Sequence, residues 1–185
     1  GSMPQQGDNA IYKAARAIAA LEKFDFREQH PLMGRPTLNV GTVQGGENVN
    51  SVPDHAQFTI DIRSIAGQNH DAIRARMQEL LGQEVRLRVL HDGQAIFTEP
   101  EHEWVQSVYE AVEKITGRRA QPAVATYFTD GSALKGAMAN PPTLILGPGE
   151  PEQAHKTDEF CFVQKIEQAF EAYRRIGENW LTHAQ

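Results

Sequence analysis

The sequence of 185 residues predicts an α+β region followed by an α/β region, and three observations carry that reading. In residues 55–63, Ala56, Phe58, Ile60 and Ile62 alternate with Gln57, Thr59, Asp61 and Arg63, the pattern of a strand with one buried face. Around it, residues 1–92 run helix, strand, strand, helix, strand. Beyond Gly93, helical stripes alternate with short, wholly apolar runs of the kind buried in parallel sheets.

The elements follow in order. Ile11, Ala15, Ile18 and Leu21 recur at helical spacing between Asn9 and Phe24. HPLMGRP, 30–36, breaks the pattern with two prolines and a glycine. TLNVGTV, 37–43, reads as a strand ending at Gly45-Gly46, and 55–63 as the next. Ile73, Met77 and Leu80/Leu81 mark an inward helical face over 69–81, and EVRLRVL, 84–90, a third strand. One strand ahead of Gly1 would complete the ferredoxin-like βαββαβ unit, so its first strand is expected to be missing or cut short. In the second region Trp104, Val108, Val112 and Ile115 predict a helix over 101–116, stopped at Gly117. AVATYF, 123–128, and TLIL, 143–146, predict strands, and Ser132–Ala139 a helix. A last helix from 158 to about 180 aligns Phe160, Val163, Ile166, Phe170, Tyr173 and Ile176 on one stripe. Two or three strands are too few to cover these helices. An exposed apolar patch is expected, with oligomerisation, swapping or disorder of the second half.

Composition narrows the function classes. The chain is 40% hydrophobic and 23% charged, with a formal net charge of −6, which gives no electrostatic reason to expect a nucleic-acid partner. Cys161 is the single cysteine, so no intrachain disulfide forms. No run approaches the roughly 20 apolar residues of a membrane span, and no signal peptide is evident. A cytoplasmic protein is the expectation.

Three stretches carry candidate chemistry. In GGENVNSVPD, 45–54, followed by Asp61-Ile62-Arg63, Asn50 offers an amide and Arg63 a guanidinium suited to a carboxylate. The same residues read equally as a turn and an Asp61–Arg63 pair. YFTDGSAL, 127–134, sets Thr129 and Asp130 where a strand gives way to a helix, a place for a ligand or for an ordinary helix cap. ILGPGEPEQAH, 145–155, ends a stiff acidic loop on His155. A metal ligand needs companions, and no H-x-D, H-E-x-x-H or C-x-x-C is present. His30, His55, His70, His91 and His183 sit in turns, at element ends or in the tail, and His102 reads as cap chemistry. Cys161, beside two phenylalanines, reads as core rather than nucleophile.

Together SMPQQGDNAI (2–11), NVGTVQGGENVNSVPDHAQFTIDIR (39–63), FTDGSAL (128–134) and ILGPGEPEQAHKTDEF (145–160) resemble the two-zinc aminoacylase/carboxypeptidase family. Its members include acetylornithine deacetylase, succinyl-diaminopimelate desuccinylase, aminoacylase and glutamate carboxypeptidase. The resemblance implies a βαββαβ lid, or dimerisation, domain over residues 1–92. It implies that 93–185 are the C-terminal part of a zinc-peptidase-like α/β catalytic domain. The H-x-D segment, the bridging aspartate, the Glu-Glu pair with the general base and a further carboxylate ligand would lie upstream, so the fragment itself carries no catalytic residue. His155 matches the last metal ligand, Asn50 and Arg63 the lid residues that hold a substrate carboxylate, and Gly147 and Gly149 a loop whose backbone approaches substrate. Thr129 and Asp130 fall on a segment beside it. The family often reads H-G-S-M-P at the lid's first strand. Gly1 and Ser2 match that either as native residues, the histidine cut away, or as a tag scar.

The implied parent is a metal-dependent amidohydrolase that cleaves an N-acyl or peptide amide next to a free carboxylate. Two zinc ions, or cobalt or manganese, would activate water and a glutamate would take its proton. A homodimer through the lid is implied, with an N-acyl amino acid or small peptide as substrate and neither nucleic acid nor membrane as partner. The rivals are a non-catalytic dimerisation or small-molecule-binding module and, for 1–90 alone, a small sensor of amino acids.

Overall fold

A computed structural model describes residues 3–154 and 156–183. The chain divides into two units, Gly1–Ala95 and Ile96–Gln185.

The first unit opens with a 3-10 turn, Pro4–Gln6, and helix α1, Ala10–Leu21. Asn9 caps α1, its Oδ1 accepting from the N–H groups of Ile11 (2.9 Å) and Tyr12 (3.2 Å). The face buried is Ala14, Ala17 and Leu21. Ile11 and Ala15, expected inward, are exposed. Small alanines bring the α1 backbone closer to its neighbours than the larger Ile11 would allow.

Strands β1, Thr37–Gly45, and β2, Ala56–Arg63, pair antiparallel. The register slips at Gly41, between Val40↔Ile60 and Thr42↔Thr59. That extra residue is a bulge, which reverses the facing of β1 beyond it. Without it Thr42 and Gln44 would face the core. With it they meet Thr59 (2.7 Å between hydroxyls) and Gln57 (3.2 Å) on the polar face. Leu38, Phe58, Ile60 and Ile62 pack from the other face on a core of Leu21, Phe26, Ile73 and Met77. Helix α2, His70–Leu81, is capped by Asn69 and supplies Ile73 and Met77, with Leu80 exposed.

The strand expected at 84–90 does not form. In a split βαββαβ sheet the last strand pairs with the first, and among the described residues no strand precedes Thr37. The segment keeps a strand's alternation, with Val85 and Leu87 half-buried between exposed neighbours. In place of a ladder, the Gln78 amide donates to the carbonyls of Gly82 (2.7 Å) and Val85 (2.8 Å). Lys13 also reaches Glu84 at 2.6 Å.

The second unit contains α3, Glu103–Thr116, α4, Gly131–Ala137, a 3-10 turn, Pro151–Gln153, and α5, Val163–His183. Gly117, at φ +72°, ends α3 as the expected glycine stop. Neither 123–128 nor 143–146 forms a strand, for a buried parallel strand needs neighbours on both edges and this unit has no strand among its described residues. Thr98 Oγ instead donates to the Thr143 carbonyl (3.0 Å) and accepts from its N–H (2.8 Å). The expected start of the last helix at 158 moves to Val163. Phe160 and Phe162 stack edge to face at 5.2 Å, a contact between residues two apart that a helix does not permit.

The packing of α5 reverses the expectation. It meets α3 through its small residues, Ala169 and Ala172, near Val112 and Ile115, while α3 buries Val105, Val108 and Ala111. The large stripe Val163, Ile166, Phe170 and Tyr173 faces outward, Phe170 at 69% exposure. The apolar patch expected from too few strands is present. No described helix is long and apolar enough to cross a membrane.

Candidate functional site

The hairpin β1–β2 sets two candidates at opposite ends. Its loop, 46–55, is fixed at the start of α1 by the Ala10 N–H donating to the Pro53 carbonyl (2.9 Å). Asn48 Oδ1 accepts from the Asn50 N–H at 3.2 Å, shaping the tip around Asn50, and Val49 beside it is fully exposed. Arg63 closes β2 at the other end. Seven steps of a strand separate Ala56 from Arg63, about 24 Å. Asn50, in the connecting loop, and Arg63, at the end of β2, thus belong to opposite ends of the hairpin.

Arg63 donates from Nε to Asp61 Oδ2 at 2.8 Å, the pairing that the alternation of β2 allows. The pair uses one edge of the guanidinium. Its Nη atoms have no bonded partner among the described residues, and the side chain is 48% exposed. Arg63 is thus held in place and still presents two parallel N–H groups, the geometry that grips a carboxylate.

In the second unit Thr129 and Asp130 lead into α4. Asp130 stands at the cap position without making a side-chain cap bond, so it is not spent on the helix end. The segment is seated on Ile96: a Cβ on Gly131 would lie 2.6 Å from Ile96 Cδ1, so a larger residue there would have to push that methyl aside. Lys135 Nζ donates to the Phe97 carbonyl at 2.7 Å and holds the same segment from α4.

Gly147 and Gly149 lie in the loop that ends on His155. Neither has a positive φ, and nothing stands within 4 Å of where a Cβ would point. Neither conformation nor crowding inside the chain calls for glycine at these positions. His155 itself lies outside the described residues. Among the described residues no three His, Cys, Asp or Glu side chains gather so that they could hold a metal ion.

One constellation escaped the sequence reading. His70, first residue of α2, places Nδ1 2.5 Å from Asp92 Oδ1 and Nε2 3.0 Å from Ser64 Oγ. Arg74 donates to the other Asp92 oxygen at 2.7 Å. The His70 hydrogen bond first, then that from Arg74, holds the Asp92 carboxyl below the usual carboxylate range. Hydroxyl, imidazole and carboxylate stand in the order of a nucleophile triad. The chemistry needs N–H groups free to stabilise an oxyanion. The two amides after Ser64 are engaged, Ile65 by Gln68 Oε1 (3.0 Å) and Ala66 by Met33 Sδ (3.4 Å). The cluster acts as a clip fastening 91–95 to α2. A separation of 22 residues leaves no local signal by which it could be found.

Similarity to known proteins runs along both units. Residues 1–88 match the family described as peptidase dimerisation domain. The chain is 32% identical to the acetylornithine deacetylase of Erwinia tasmaniensis, over 98% of this chain and 49% of that protein. It is 28% identical to the acetylornithine deacetylase of Proteus mirabilis, over 97% of this chain and 48% of the relative. Among solved structures, aminopeptidase PepT from Bacillus cereus superposes with a TM-score of 0.70 at 27% identity, over 94% of this chain and 46% of that one. The chain spans about half the length of the relatives it matches.

Proposed function

We propose, from a chain that belongs to the two-zinc aminoacylase/carboxypeptidase family, that it forms the lid and the C-terminal part of the catalytic domain of a metal-dependent amidohydrolase. The bond cleaved is an N-acyl or peptide amide next to a free carboxylate. One observation carries the reading: similarity to acetylornithine deacetylases continues through 97% of the chain, well beyond the dimerisation domain.

Each residue then has a task. Arg63, oriented by Asp61, offers its Nη edge to the substrate carboxylate. Asn50, in the hairpin loop, is the second lid residue for a substrate carboxylate, reaching into the partner's site in a homodimer built through the lid. Gly147 and Gly149 let a substrate approach the backbone where no Cβ intervenes. Thr129 and Asp130 line the same side of the reaction, and His155 supplies one ligand to zinc, cobalt or manganese. The remaining ligands and the general base would come from the half of the relatives' length that this chain does not span.

A protein of the relatives' full length carrying this chain is the test. Zinc-dependent hydrolysis of N-acetyl amino acids or dipeptides is expected, lost with His155→Ala together with bound metal. Arg63→Met should raise KM roughly 10- to 100-fold at unchanged metal content, the loss of a charge-assisted bidentate contact. Absence of metal-dependent hydrolysis, with a stable dimer, would establish the rival reading of a non-catalytic dimerisation module, which the self-contained core of the first unit favours.

A further inference from the structure

The first unit carries a cavity that the proposed reaction does not use. It measures about 220 Å³ and opens where α1 ends and β1 begins. Its apolar lining comes from Leu21, Phe24, Phe26 and Leu38, of which Leu21 and Phe26 belong to the core. Phe24 and Phe26 meet edge to face at 5.0 Å. Arg76 of α2 lies 5.1 Å over the Phe24 ring and donates to the carbonyls of Asp25 (2.5 Å) and Phe26 (3.4 Å). That wall is held from α2 before anything binds, so a ligand need not order it.

Charges of both signs stand at the edge of the cavity. Asp25 and Arg35 are exposed and pair at 3.0 Å, and Glu22 adds a second carboxylate. Asp25 engages one oxygen only: Oδ1 accepts from Arg35 Nη2 and from the Arg27 N–H at 2.9 Å. Arg27 takes φ +67° there, a conformation that residues other than glycine seldom adopt. The Arg27 N–H most of all, helped by Arg35, holds the Asp25 carboxyl below the usual carboxylate range, so it is ionised at neutral pH. Its Oδ2, and the Nε and Nη1 groups of Arg35, have no bonded partner among the described residues.

An open carboxylate oxygen beside an open guanidinium edge is the complement of a zwitterion, with ammonium to Asp25 and carboxylate to Arg35. The apolar wall next to them accepts a side chain. The volume falls below the ~300 Å³ at which pockets for drug-sized ligands begin, so the ligand is small. We infer that this cavity binds a free α-amino acid with an aliphatic side chain, its ammonium on Asp25, its carboxylate on Arg35 and its side chain against Phe24, Phe26 and Leu38. An N-acylated amino acid has no ammonium to offer and is refused. Only the consequence rests on the proposed function: in a deacylase, the first unit distinguishes product from substrate.

Titration of the 185-residue chain with leucine, followed through its amide NMR shifts, tests the site. Saturable shifts are expected in 21–26 and 35–38, with a Kd on the order of 1 mM, the strength open to so small a ligand. Leucinamide, without the carboxylate, and N-acetyl-leucine, without the ammonium, should each bind roughly 3- to 10-fold more weakly, the scale of one net hydrogen bond or exposed ion pair. Glycine, without the side chain, should bind about tenfold more weakly. Asp25→Asn keeps the oxygen that accepts from Arg27, so the loop should hold its shape. That variant and Arg35→Gln should each weaken leucine roughly 3- to 10-fold. No saturable shift, shifts centred elsewhere, or any of the three analogues binding as tightly as leucine would overturn the inference. The reaction reading is decided separately, by zinc-dependent hydrolysis in the full-length protein.

Discussion

The two units of this chain are built from similar amounts of sequence and close their cores differently. The first sandwiches Leu21, Phe26, Ile73 and Met77 between two helices and the inner face of a hairpin. The second joins α3 to α5 along a seam of small and medium residues, Val105, Val108, Ala111 and Ala172. Its large side chains, Phe162, Val163, Ile166, Phe170 and Trp180, stay exposed. Apolar area contributes about 25 cal/mol per Å² only when it leaves water. The second unit thus leaves unused much of the stabilisation its sequence could provide.

Substitutions sharpen that contrast. Leu21→Ala, at the centre of the first core, should lower the stability of that unit by about 2–5 kcal/mol in denaturant unfolding. A loss under 1 kcal/mol would mean that the core is not closed. Asn69→Ala removes the cap of α2 and should cost about 1 kcal/mol in the same unit. The acid limb is a subtler probe. Asp92 titrates in the folded chain below its ordinary 3.8, so its contribution is present above that pH and is lost as pH falls through the folded value. Asp92→Asn should flatten the loss of first-unit stability below about pH 3.8, followed by unfolding at stepped pH. Smallest in stability is Phe170→Ser on the outward stripe, within about 0.5 kcal/mol. It should nevertheless reduce self-association in sedimentation, where a core residue would do the opposite.

The same contrast explains how much was legible in the sequence. Helices were, because their signals are local: periodicity along each and a stop at Gly117. The hairpin was legible too, since β2 alternates cleanly. The bulge at Gly41 was not, for it shows only in the partner register. Strands at 84–90, 123–128 and 143–146 failed because a strand is specified by its neighbours, and these have none among the described residues. The α5 stripe was found but turned the wrong way. A helix apolar on one side and small on another gives no local sign of which face its partner takes. In the candidate site, the pairing of Arg63 with Asp61 followed from their spacing. That Asn50 and Arg63 stand at opposite ends of a hairpin required the fold, as did the clip of His70 on Asp92.

The central proposal is that His155 supplies one metal ligand and this chain the substrate-facing loops of a centre completed by other residues. Zinc content and turnover of an N-acetyl amino acid by the purified 185-residue chain test it most directly. The account predicts no tightly bound stoichiometric zinc and no zinc-dependent hydrolysis. Two zinc ions per chain with measurable amide cleavage would contradict it.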